Sequence, residues 1–452
     1  MPNRQSIIYK QGSTMSFTVK DILQMEVTPA LGCTEPAAIA LACAAAASLL
    51  EGKEIDRLEL WVDPNIYKNG TAVAIPGTNG MTGLDVAAGV GAFGGNPSIG
   101  LEVFDTVDQK AIDKTKALID SKEVDVHLFE ETGLHVKAVV SSGSDRAVAE
   151  IKELHNNIVY LALNDSEITD SSLLSKAAGS SGKSAMALLE EWLIDLKLDD
   201  IYEMIDEIDE EDLAFLKKGV EFNVALAEYG LKYGSGLGIG KAIERLLKQK
   251  LLVKDMATSA RILTSAAADA RMSGVNLPAM SSAGSGNHGL TAILPIWAIK
   301  DFVTHDEDTV LRAIGLSHVI TAYVKAHTGR LSAVCGCSVA AGAGATAGIT
   351  YLVGGDVEHM AGAIKNIMED LAGVICDGAK AGCALKLNTA AGAAVQAALF
   401  SLQGINVQDT DGIIGQSTEQ TVKNIGTLSH QGMVETDRTI LQIMREKEKG
   451  RK

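Results

Sequence analysis

The sequence predicts an α+β fold, in which a mainly helical domain carries a small inserted α/β domain. Three observations indicate this arrangement. Helical apolar spacing fills residues 17–50, short β-like apolar runs fill 55–165, and helical spacing resumes after Lys183. No proline follows Pro295, so a string of helices is the simplest interpretation of the C-terminal part.

The N-terminal segment, residues 15–54, is expected to form helices. An alanine-rich run from Ala37 to Leu50 is typical of a helix, and prolines isolate the loop 31–36 before it. This segment has no apolar partner of its own. We therefore expect it to pack on the C-terminal helices, with the α/β domain inserted between them.

Residues 55–165 are typical of a compact α/β domain. Apolar spacing predicts a helix from Thr106 to Ser121. The tripeptide His155–Asn157 is expected to turn the last two strands into a hairpin. Short β-branched or alternating runs predict strands at 58–63, 71–76, 124–130, 135–141, 146–154 and 158–164.

Polar composition sets the remaining boundaries. Residues 1–14 lack the apolar core of a secretory signal and form a candidate disordered extension. Residues 166–183 are polar and Ser-rich, which is typical of a linker. The mainly helical domain then occupies residues 184–452.

The charge balance excludes two classes of partner. The chain of 452 residues has 40 Lys and Arg against 57 Asp and Glu, a net charge of −17. Binders of nucleic acid or anionic membranes need clustered positive charge, so neither partner is expected. The uncharged stretch from Leu331 to Gly355 is long enough to span a bilayer, but it is mostly Ala, Gly, Ser and Thr. We interpret it as a buried helix with its preceding loop.

The six cysteines are too few for a disulfide scaffold, which predicts a reducing compartment, the cytoplasm. Cys43 lies among alanines and is interpreted as a small core residue. Three others, Cys335, Cys376 and Cys383, lie in glycine-containing turns that can wrap an ion or a cluster. Cys337 begins a helix and is more typical of packing.

The cysteine spacing lacks the paired C-x₂-C of zinc sites and the close cysteine run of ferredoxins. Three thiolates from separate loops would suit a [4Fe–4S] cluster with one iron that the protein does not ligate. Such an iron is a Lewis acid as well as an electron carrier. The alternative is that the cysteines are packing residues without a metal.

Glycine motifs add one candidate anion site. Gly89–Gly94 lacks the strand and helix of a dinucleotide site, and Gly236–Lys241 is followed by Ala rather than by Ser or Thr, so it is not a phosphate-binding loop. The Gly/Ser turn 280–289 precedes a helix, where N–H groups suit a carboxylate or phosphate, unless it is a plain connector. The polar turns at 68–70 and 76–83 either bring a Lys to the same anion or are ordinary hairpin turns.

Five ordered segments together carry a resemblance to a known family. The segments are Gly32–Pro36 (GCTEP), Lys68–Gly70 (KNG) with Ile75–Thr78 (IPGT), Ser282–Gly289 (SAGSGNHG), Val334–Ser338 (VCGCS) and Ile375–Cys383 (ICDGAKAGC). Together they resemble the L-cysteine desulfidase family, which is related to the α-chain of iron–sulfur L-serine dehydratases. The similarity extends from about Met15 to Gln431, and five ordered motifs are a specific signal.

The resemblance implies an oxygen-sensitive [4Fe–4S] enzyme that eliminates H₂S from L-cysteine and leaves pyruvate and ammonia, without pyridoxal phosphate. Residues 184–452 would then be the helical catalytic domain. The cluster ligands would be Cys376, Cys383 and one of the pair Cys335 and Cys337, of which we favour Cys335. Cys33 corresponds to the proton acceptor.

The other site residues are expected around these thiols. Glu35 either relays the proton from Cys33 or caps the following helix. His288 either contacts substrate or is a structural hydrogen-bonding residue. We expect the substrate to be bound by Lys68, Asn69, Ser285, Gly286, Asn287 and His288, with its carboxylate on the turn that holds the last four.

Two other functions stay open at this point. A serine or threonine dehydratase would use the same apparatus, because an open iron accepts a hydroxyl as well as a thiolate. A non-catalytic thiol–metal sensor would need no lone reactive thiol at Cys33, far in sequence from the cluster loops. The expected partner is a small amino-acid substrate, and the oligomeric state is open, a homo-oligomer included.

Overall fold

The computed structural model describes residues 16–130, 133–175, 184–329 and 332–449. Within these ranges helices dominate, and they surround one large and one small sheet, so the α+β, mainly helical prediction is confirmed. The predicted extension 1–14 lies outside the described residues, as do residues 176–183.

The α-helices, numbered in chain order, are α1 (Val19–Glu26), α2 (Thr34–Ser48), α3 (Pro64–Gly70), α4 (Leu84–Gly94), α5 (Gln109–Asp120), α6 (Ala185–Ile194), α7 (Leu198–Glu203), α8 (Glu210–Tyr233), α9 (Ile239–Lys248), α10 (Met256–Met272), α11 (Gly286–Ile299), α12 (Glu307–Thr328), α13 (Ala340–Leu352), α14 (Val357–Leu371), α15 (Cys383–Leu402), α16 (Thr418–Thr427) and α17 (Val434–Lys449). The strands are β1 (Pro29–Leu31), β2 (Arg57–Val62), β3 (Val124–Leu128), β4 (His135–Ser142), β5 (Asp145–Lys152), β6 (Ile158–Leu163), β7 (Ser166–Glu167) and β8 (Pro278–Met280). Short 3₁₀ or π segments lie at Pro97–Thr106, Met204–Glu207, Lys300–Phe302 and Leu428–Gly432.

The α/β domain is built on a six-stranded sheet in the order β3-β2-β4-β5-β6-β7. β2 pairs in parallel with β3, and the other neighbouring strands are antiparallel. Five of the predicted strands correspond to β2–β6, and the predicted helix 106–121 corresponds to α5. His155–Asn157 connects β5 to β6 as expected.

Helix α2 packs in the α/β domain, which corrects the expectation that all of residues 15–54 pack on the helical domain. Its alanines share a core with Leu58, Leu60 and Val136 of the sheet, and α4 covers it as well. The reason is that α2 has no polar face and needs apolar cover all round, which a sheet and a second helix provide. α1 does behave as expected, because Ile22 and Leu23 belong to the helical core.

Residues 71–76 do not form the predicted strand. Their alternating apolar residues Val73 and Ile75 are buried, but the segment is a turn with a single bridge between Ala74 and Thr82. The Thr78 hydroxyl donates to the Ile75 carbonyl at 2.7 Å and closes this turn. The period-2 pattern therefore reflected burial rather than strand pairing.

The predicted linker 166–183 begins as part of the α/β domain. β7 pairs with β6, and the Ser175 amide donates to the Ile158 carbonyl at 2.9 Å. Leu173 and Leu174 pack against the core of that domain. The described residues 166–175 are therefore held by the sheet rather than free of it.

The helical domain is organised around α10, which packs on α8, α9, α11 and α15. α12 and α13 pack on each other, and α13 also packs on α11 and α15. The uncharged stretch seen in the sequence contains α13, whose thirteen residues are almost all buried. In the described ranges no helix has the length and apolarity needed to cross a membrane.

A short antiparallel ladder joins the N-terminal segment to the helical domain. β1 pairs with β8 in a register that sets Pro29 opposite Met280 and Leu31 opposite Pro278. Beyond the strands, the Ala283 amide donates to the Glu26 carbonyl at 2.9 Å. The ladder therefore places the loop after β1 beside the turn after β8, and both carry predicted site residues.

The glycine motif at 236–240 is occupied by a side chain of the protein itself. The Asp269 carboxylate accepts from the amides of Leu237 and Gly238 at 3.1 Å each and from that of Gly240 at 3.3 Å. Asp269 is 1% exposed. The amides before and within the first turn of α9 are thus satisfied internally, which agrees with the rejection of this motif as a phosphate-binding loop.

Replacing Asp269 by Ala should destabilise the protein, because these buried amides would lose their acceptor. We expect the free energy of unfolding to fall by about 1–3 kcal/mol. Asp269→Asn, which keeps one side-chain oxygen, should cost less. Urea denaturation of the three proteins measures the difference, and equal midpoints would show that the carboxylate does not stabilise α9.

Candidate active site

One cavity of about 80 Å³ collects most of the predicted site residues. Five cysteines line it, namely Cys33, Cys335, Cys337, Cys376 and Cys383, and we call it the thiol cavity. The other predicted residues that line it are Glu35, Asn69, Ser285, Asn287 and His288. Segments that are far apart in the sequence therefore meet at one place.

Cys33 lies at the junction of β1 and α2. It is the N-cap of α2 and is 2% exposed. Burial raises the pKa of the Cys33 thiol to about 11, while the nearby Arg271 guanidinium opposes this shift and Glu35 adds to it. The thiol form therefore dominates at neutral pH, and Arg271 and the helix N-terminus are the features that favour the thiolate.

Glu35 is held by hydrogen bonds from Asn69 and from its neighbour Thr34. The Asn69 amide donates to Oε1 at 2.8 Å, and the Thr34 hydroxyl donates to Oε2 at 3.2 Å. Asn69 lies in the last turn of α3, so the α/β domain contributes a polar group to the thiol cavity. These bonds fix the Glu35 carboxylate beside Cys33.

Lys68 does not line the thiol cavity, although the sequence grouped it with Asn69. The predicted polar turn is the helix α3, which Asp63 caps by accepting from the amides of Asn65 and Ile66. Adjacent residues on a helix point about 100° apart, so Lys68 and Asn69 face different spaces. The Lys68 ammonium forms an ion pair with Asp437 of α17 at 2.5 Å.

Arg271 is a site residue that the sequence analysis missed. It lies near the end of α10 and is 3% exposed. Its Nη1 donates to Asn287 Oδ1 at 2.9 Å, and its Nη2 donates to the Gly32 carbonyl at 2.6 Å. Its Nε has no hydrogen-bond partner among the described residues. A buried guanidinium whose Nε–H is not yet hydrogen-bonded is suited to bind an anion.

Gly286 explains how the guanidinium fits against α11. A Cβ at this position would lie 2.4 Å from Arg271 Nε, so any other residue would displace the side chain. Gly286 itself does not line the thiol cavity, which refines its predicted role: it makes room for the cation.

A second missed residue is His155, which lines the thiol cavity from the β5–β6 hairpin. The sequence analysis treated it only as a turn residue. One signal for Arg271 did exist, since it is a charged residue in the small-residue run SAAADARMSG at the end of a helix. For His155 the sequence carries no such signal, because a turn histidine is ordinary.

Two buried histidines, His288 of α11 and His318 of α12, contact the turn after β8. His288 Nδ1 lies 3.2 Å from the Ser282 carbonyl, which makes Nδ1 the protonated nitrogen of the neutral ring. His318 Nδ1 lies 2.9 Å from Ser282 Oγ. Burial lowers the pKa of each ring to about 3, and for His288 the charge of Lys325 adds to this effect. Both rings are therefore neutral at pH 7.

The unprotonated ring nitrogen of His288, Nε2, faces the cysteine loop at Gly336. A Cβ on Gly336 would lie 2.4 Å from His288 Nε2, so only glycine lets the loop approach this closely. The sequence predicted a turn over 280–289 that precedes a helix; the helix α11 in fact begins inside this segment, at Gly286, with Ser285 as its N-cap. As first-turn residues, Asn287 and His288 have amides with no acceptor inside the helix.

The cysteine loops are tied together by a two-residue bridge. Val334 pairs with Ile375, the Cys335 amide donates to the Val374 carbonyl at 2.9 Å, and the Cys376 amide donates to the Ala333 carbonyl at 2.6 Å. Cys383 is the first residue of α15. The three predicted ligands therefore come from two paired loops and a helix start.

Hydrogen bonds distinguish the two cysteines of the Cys-Gly-Cys pair. Bonds from Cys337 and from Ser338 lower the pKa of Cys335, and the pKa of Cys337 is raised by the same contact. Burial raises the pKa of Cys376 and Cys383. Cys335 is thus the thiol of this pair that more readily carries negative charge.

Positive charge lies close to these thiols. Lys386 lines the thiol cavity, and its ammonium donates to the Ile375 carbonyl at 2.7 Å and pairs with Asp377 at 2.5 Å. Lys380 pairs with the other Asp377 oxygen at 2.6 Å. These lysines are local electrostatic partners of the cysteine loop.

The grouping of the side chains around the thiol cavity decides which kind of metal centre they could hold. In the part of the chain that the structure describes, no three His, Cys, Asp or Glu side chains are grouped to hold a single metal ion. An iron–sulfur cluster makes a different demand, because each thiolate binds a different iron. Soft thiol donors around one cavity, with lysine beside them, fit that demand in donor type and charge.

The chain is similar in sequence to a family of known proteins. A family profile described as serine dehydratase alpha chain matches residues 99–442. The chain belongs to this family. Membership of the serine dehydratase alpha-chain family indicates a serine dehydratase-like lyase.

Relatives extend the similarity to nearly the whole chain. A UPF0597 protein of Desulfotalea psychrophila is 67% identical over 435 residues, which cover 96% of this chain and 100% of the relative. A UPF0597 protein of Desulfatibacillum aliphaticivorans is 60% identical over 437 residues, covering 96% and 99%. One of Clostridioides difficile is 41% identical over 430 residues, covering 95% and 99%.

Arg271→Gln should slow alkylation of Cys33, because the cation that favours the thiolate is removed. In the unchanged protein the rate should rise about tenfold per pH unit between pH 7 and 9, since the thiol pKa lies well above this range. Mass spectrometry of the Cys33 peptide after iodoacetamide treatment measures both effects. Arg261→Gln, on the same helix but outside the thiol cavity, is the matched control, and equal slowing there would contradict the assignment.

Proposed function

We propose that the protein is a [4Fe–4S] lyase that eliminates H₂S from L-cysteine and yields pyruvate and ammonia. The observation that carries this proposal is the thiol cavity, where Cys33 meets Arg271 and the thiols of the two cysteine loops. All five segments that resemble the desulfidase family contribute residues to this cavity or to its walls. Family membership supports the wider class of lyase.

The cluster would be held by Cys335, Cys376 and Cys383. Cys335 is preferred to Cys337 because its hydrogen bonds favour the thiolate. When bound, the cluster supplies an iron that acts as a Lewis acid toward the negative charge of the leaving group. Thiolate ligands require a reducing environment, so we propose that the protein works in the cytoplasm.

The carboxylate of the substrate would bind between Arg271 and the first turn of α11. Arg271 Nε has a hydrogen to donate, and the amides of Asn287 and His288 open a helix whose positive end favours an anion. The neutral His288 Nε2 is an acceptor suited to the substrate ammonium. These contacts would fix the amino acid by both of its charged groups.

Cys33 would remove the Cα proton. It must be a thiolate to do so, and burial opposes this form, so Arg271 and the N-terminus of α2 must offset that cost. Glu35, fixed by Asn69 beside Cys33, would take the proton onward. The Cα–H and Cβ–S bonds break, a Cα–Cβ double bond forms, and the released enamine reacts with water to give pyruvate and ammonia.

L-Serine dehydration is the second candidate, and the family match favours it. The same residues would act on serine, with hydroxide in place of the thiolate as the leaving group. A thiol–metal sensor is less well supported, because a sensor does not need the Cys33–Arg271 arrangement. The cavity also has polar groups placed for an amino acid.

Anaerobically purified protein should contain about four irons per chain, as expected of a [4Fe–4S] cluster. It should release sulfide and pyruvate from L-cysteine. Iron and sulfide assays, with pyruvate followed from L-cysteine and L-serine in parallel, test this. Pyruvate from serine alone would support the dehydratase instead, and a protein without iron after anaerobic reconstitution would contradict the cluster.

Cys33→Ala should keep its iron and lose activity, because the cluster ligands are untouched while the proton acceptor is gone. We expect a loss in kcat of about 10²–10⁴-fold, the usual contribution of a general base. Cys43→Ala is the matched control, since Cys43 is equally buried but lies in the core of the α/β domain. Full activity of the Cys33 variant would remove this residue from the mechanism.

A further inference from the structure

A second cavity, of about 380 Å³, lies beside the thiol cavity. We call it the outer cavity. It is enclosed by α3, by α17 and by the segment before Cys335, and its lining includes Asn65, Lys68, Ser332, Asp437 and Arg438. Nothing in the proposed chemistry uses it.

The outer cavity adjoins the thiol cavity directly. Ser332 lines both spaces. On α3, Lys68 lines the outer cavity and its neighbour Asn69 lines the thiol cavity. Only single residues such as Ser332 would therefore separate a small molecule in the outer cavity from the thiol cavity.

The outer cavity is lined by a buried ammonium group that is paired with a carboxylate. The Lys68 side chain is 2% exposed, and its ammonium is paired with Asp437, which is 29% exposed. Arg438 adds a second cation and Glu130 a second carboxylate. A buried ammonium needs a negative partner. Here that partner comes from α17, which packs on α3 and on the preceding π segment Leu428–Gly432.

A zwitterion can replace this ion pair without leaving a charge unmatched. Its carboxylate takes the place of Asp437 beside Lys68, and its ammonium takes the place of Lys68 beside Asp437. A ligand with one charge would leave either the ammonium or the carboxylate of the pair without compensation. The pair therefore selects for molecules that carry both charges close together.

We propose that the outer cavity is a binding subsite for the zwitterionic amino acid on its way to the thiol cavity, with Lys68 and Asp437 as its two contacts. This inference rests on the proposed function, because it takes the substrate to be an amino acid. It also accounts for the position of Lys68, which belongs to a site motif but lies outside the thiol cavity. The competing explanation is that the ion pair only fastens α17 to α3.

The test compares Asp437→Asn with Glu446→Gln in the iron-loaded enzyme. Glu446 is an exposed carboxylate on the same helix, hydrogen-bonded to Gln442 and outside the outer cavity, so its variant is the matched control. For L-cysteine and L-serine we expect Asp437→Asn to raise KM about fivefold, the usual effect of a partly exposed ion pair, with kcat unchanged. Asp437→Glu should restore most of the affinity. An unchanged KM in Asp437→Asn, or a fall in kcat alone, would overturn the subsite.

A binding measurement keeps the test independent of turnover. L-Alanine, a zwitterion without a leaving group, is titrated calorimetrically into Arg271→Gln, in which the proposed carboxylate contact of the thiol cavity is lost. Binding that persists there and weakens about fivefold on adding Asp437→Asn supports the subsite even if neither cysteine nor serine is consumed. No binding in Arg271→Gln, or binding that Asp437→Asn leaves unchanged, overturns it.

Discussion

The buried guanidinium of Arg271 is the constraint on which the site depends. A cation removed from water must be met by polar partners, and those of Arg271 are the Gly32 carbonyl and the Asn287 side chain. These partners are more than 250 residues apart in the chain. The loop of Cys33, the end of α10 and the start of α11 must therefore dock together, or the charge is left uncompensated. The same cation then acts on the Cys33 thiol, so packing and reactivity share one cause.

Small residues allow the polar groups to be this close. Gly286 makes room for the guanidinium, and Gly336 makes room for the His288 ring. In the helical cores the same property serves packing, because alanine-rich helices such as α2 and α13 lie against their neighbours with few large side chains between them. The sequence has 45 glycines and only 4% aromatic residues, and this composition serves both the packing of the cores and the close contacts in the thiol cavity.

Local sequence patterns predicted the fold more fully than the packing between elements. Five strands and the helix α5 were found, because each depends on periodicity or turn chemistry within a short segment. The packing of α2 and the turn at 71–76 were not, since apolar residues do not reveal what covers them. At the site, ordered motifs brought the thiols together, whereas Arg271 depended on a contact across the chain. Lys68 was predicted to lie at the same site as Asn69. Neighbouring residues of a helix point in different directions, however, so Lys68 lines the outer cavity and only Asn69 lines the thiol cavity.

The insertion of the α/β domain has a consequence for biogenesis. All strands of the large sheet, together with α2, lie within residues 34–167, so this domain can form from nearby segments as soon as they leave the ribosome. The thiol cavity cannot, because it waits for α10, for α11 and finally for Cys383. Until α10 has been made, the nascent chain presents Cys33 without Arg271. A cofactor held by all of these thiols can therefore be loaded only after the chain has been made as far as Cys383.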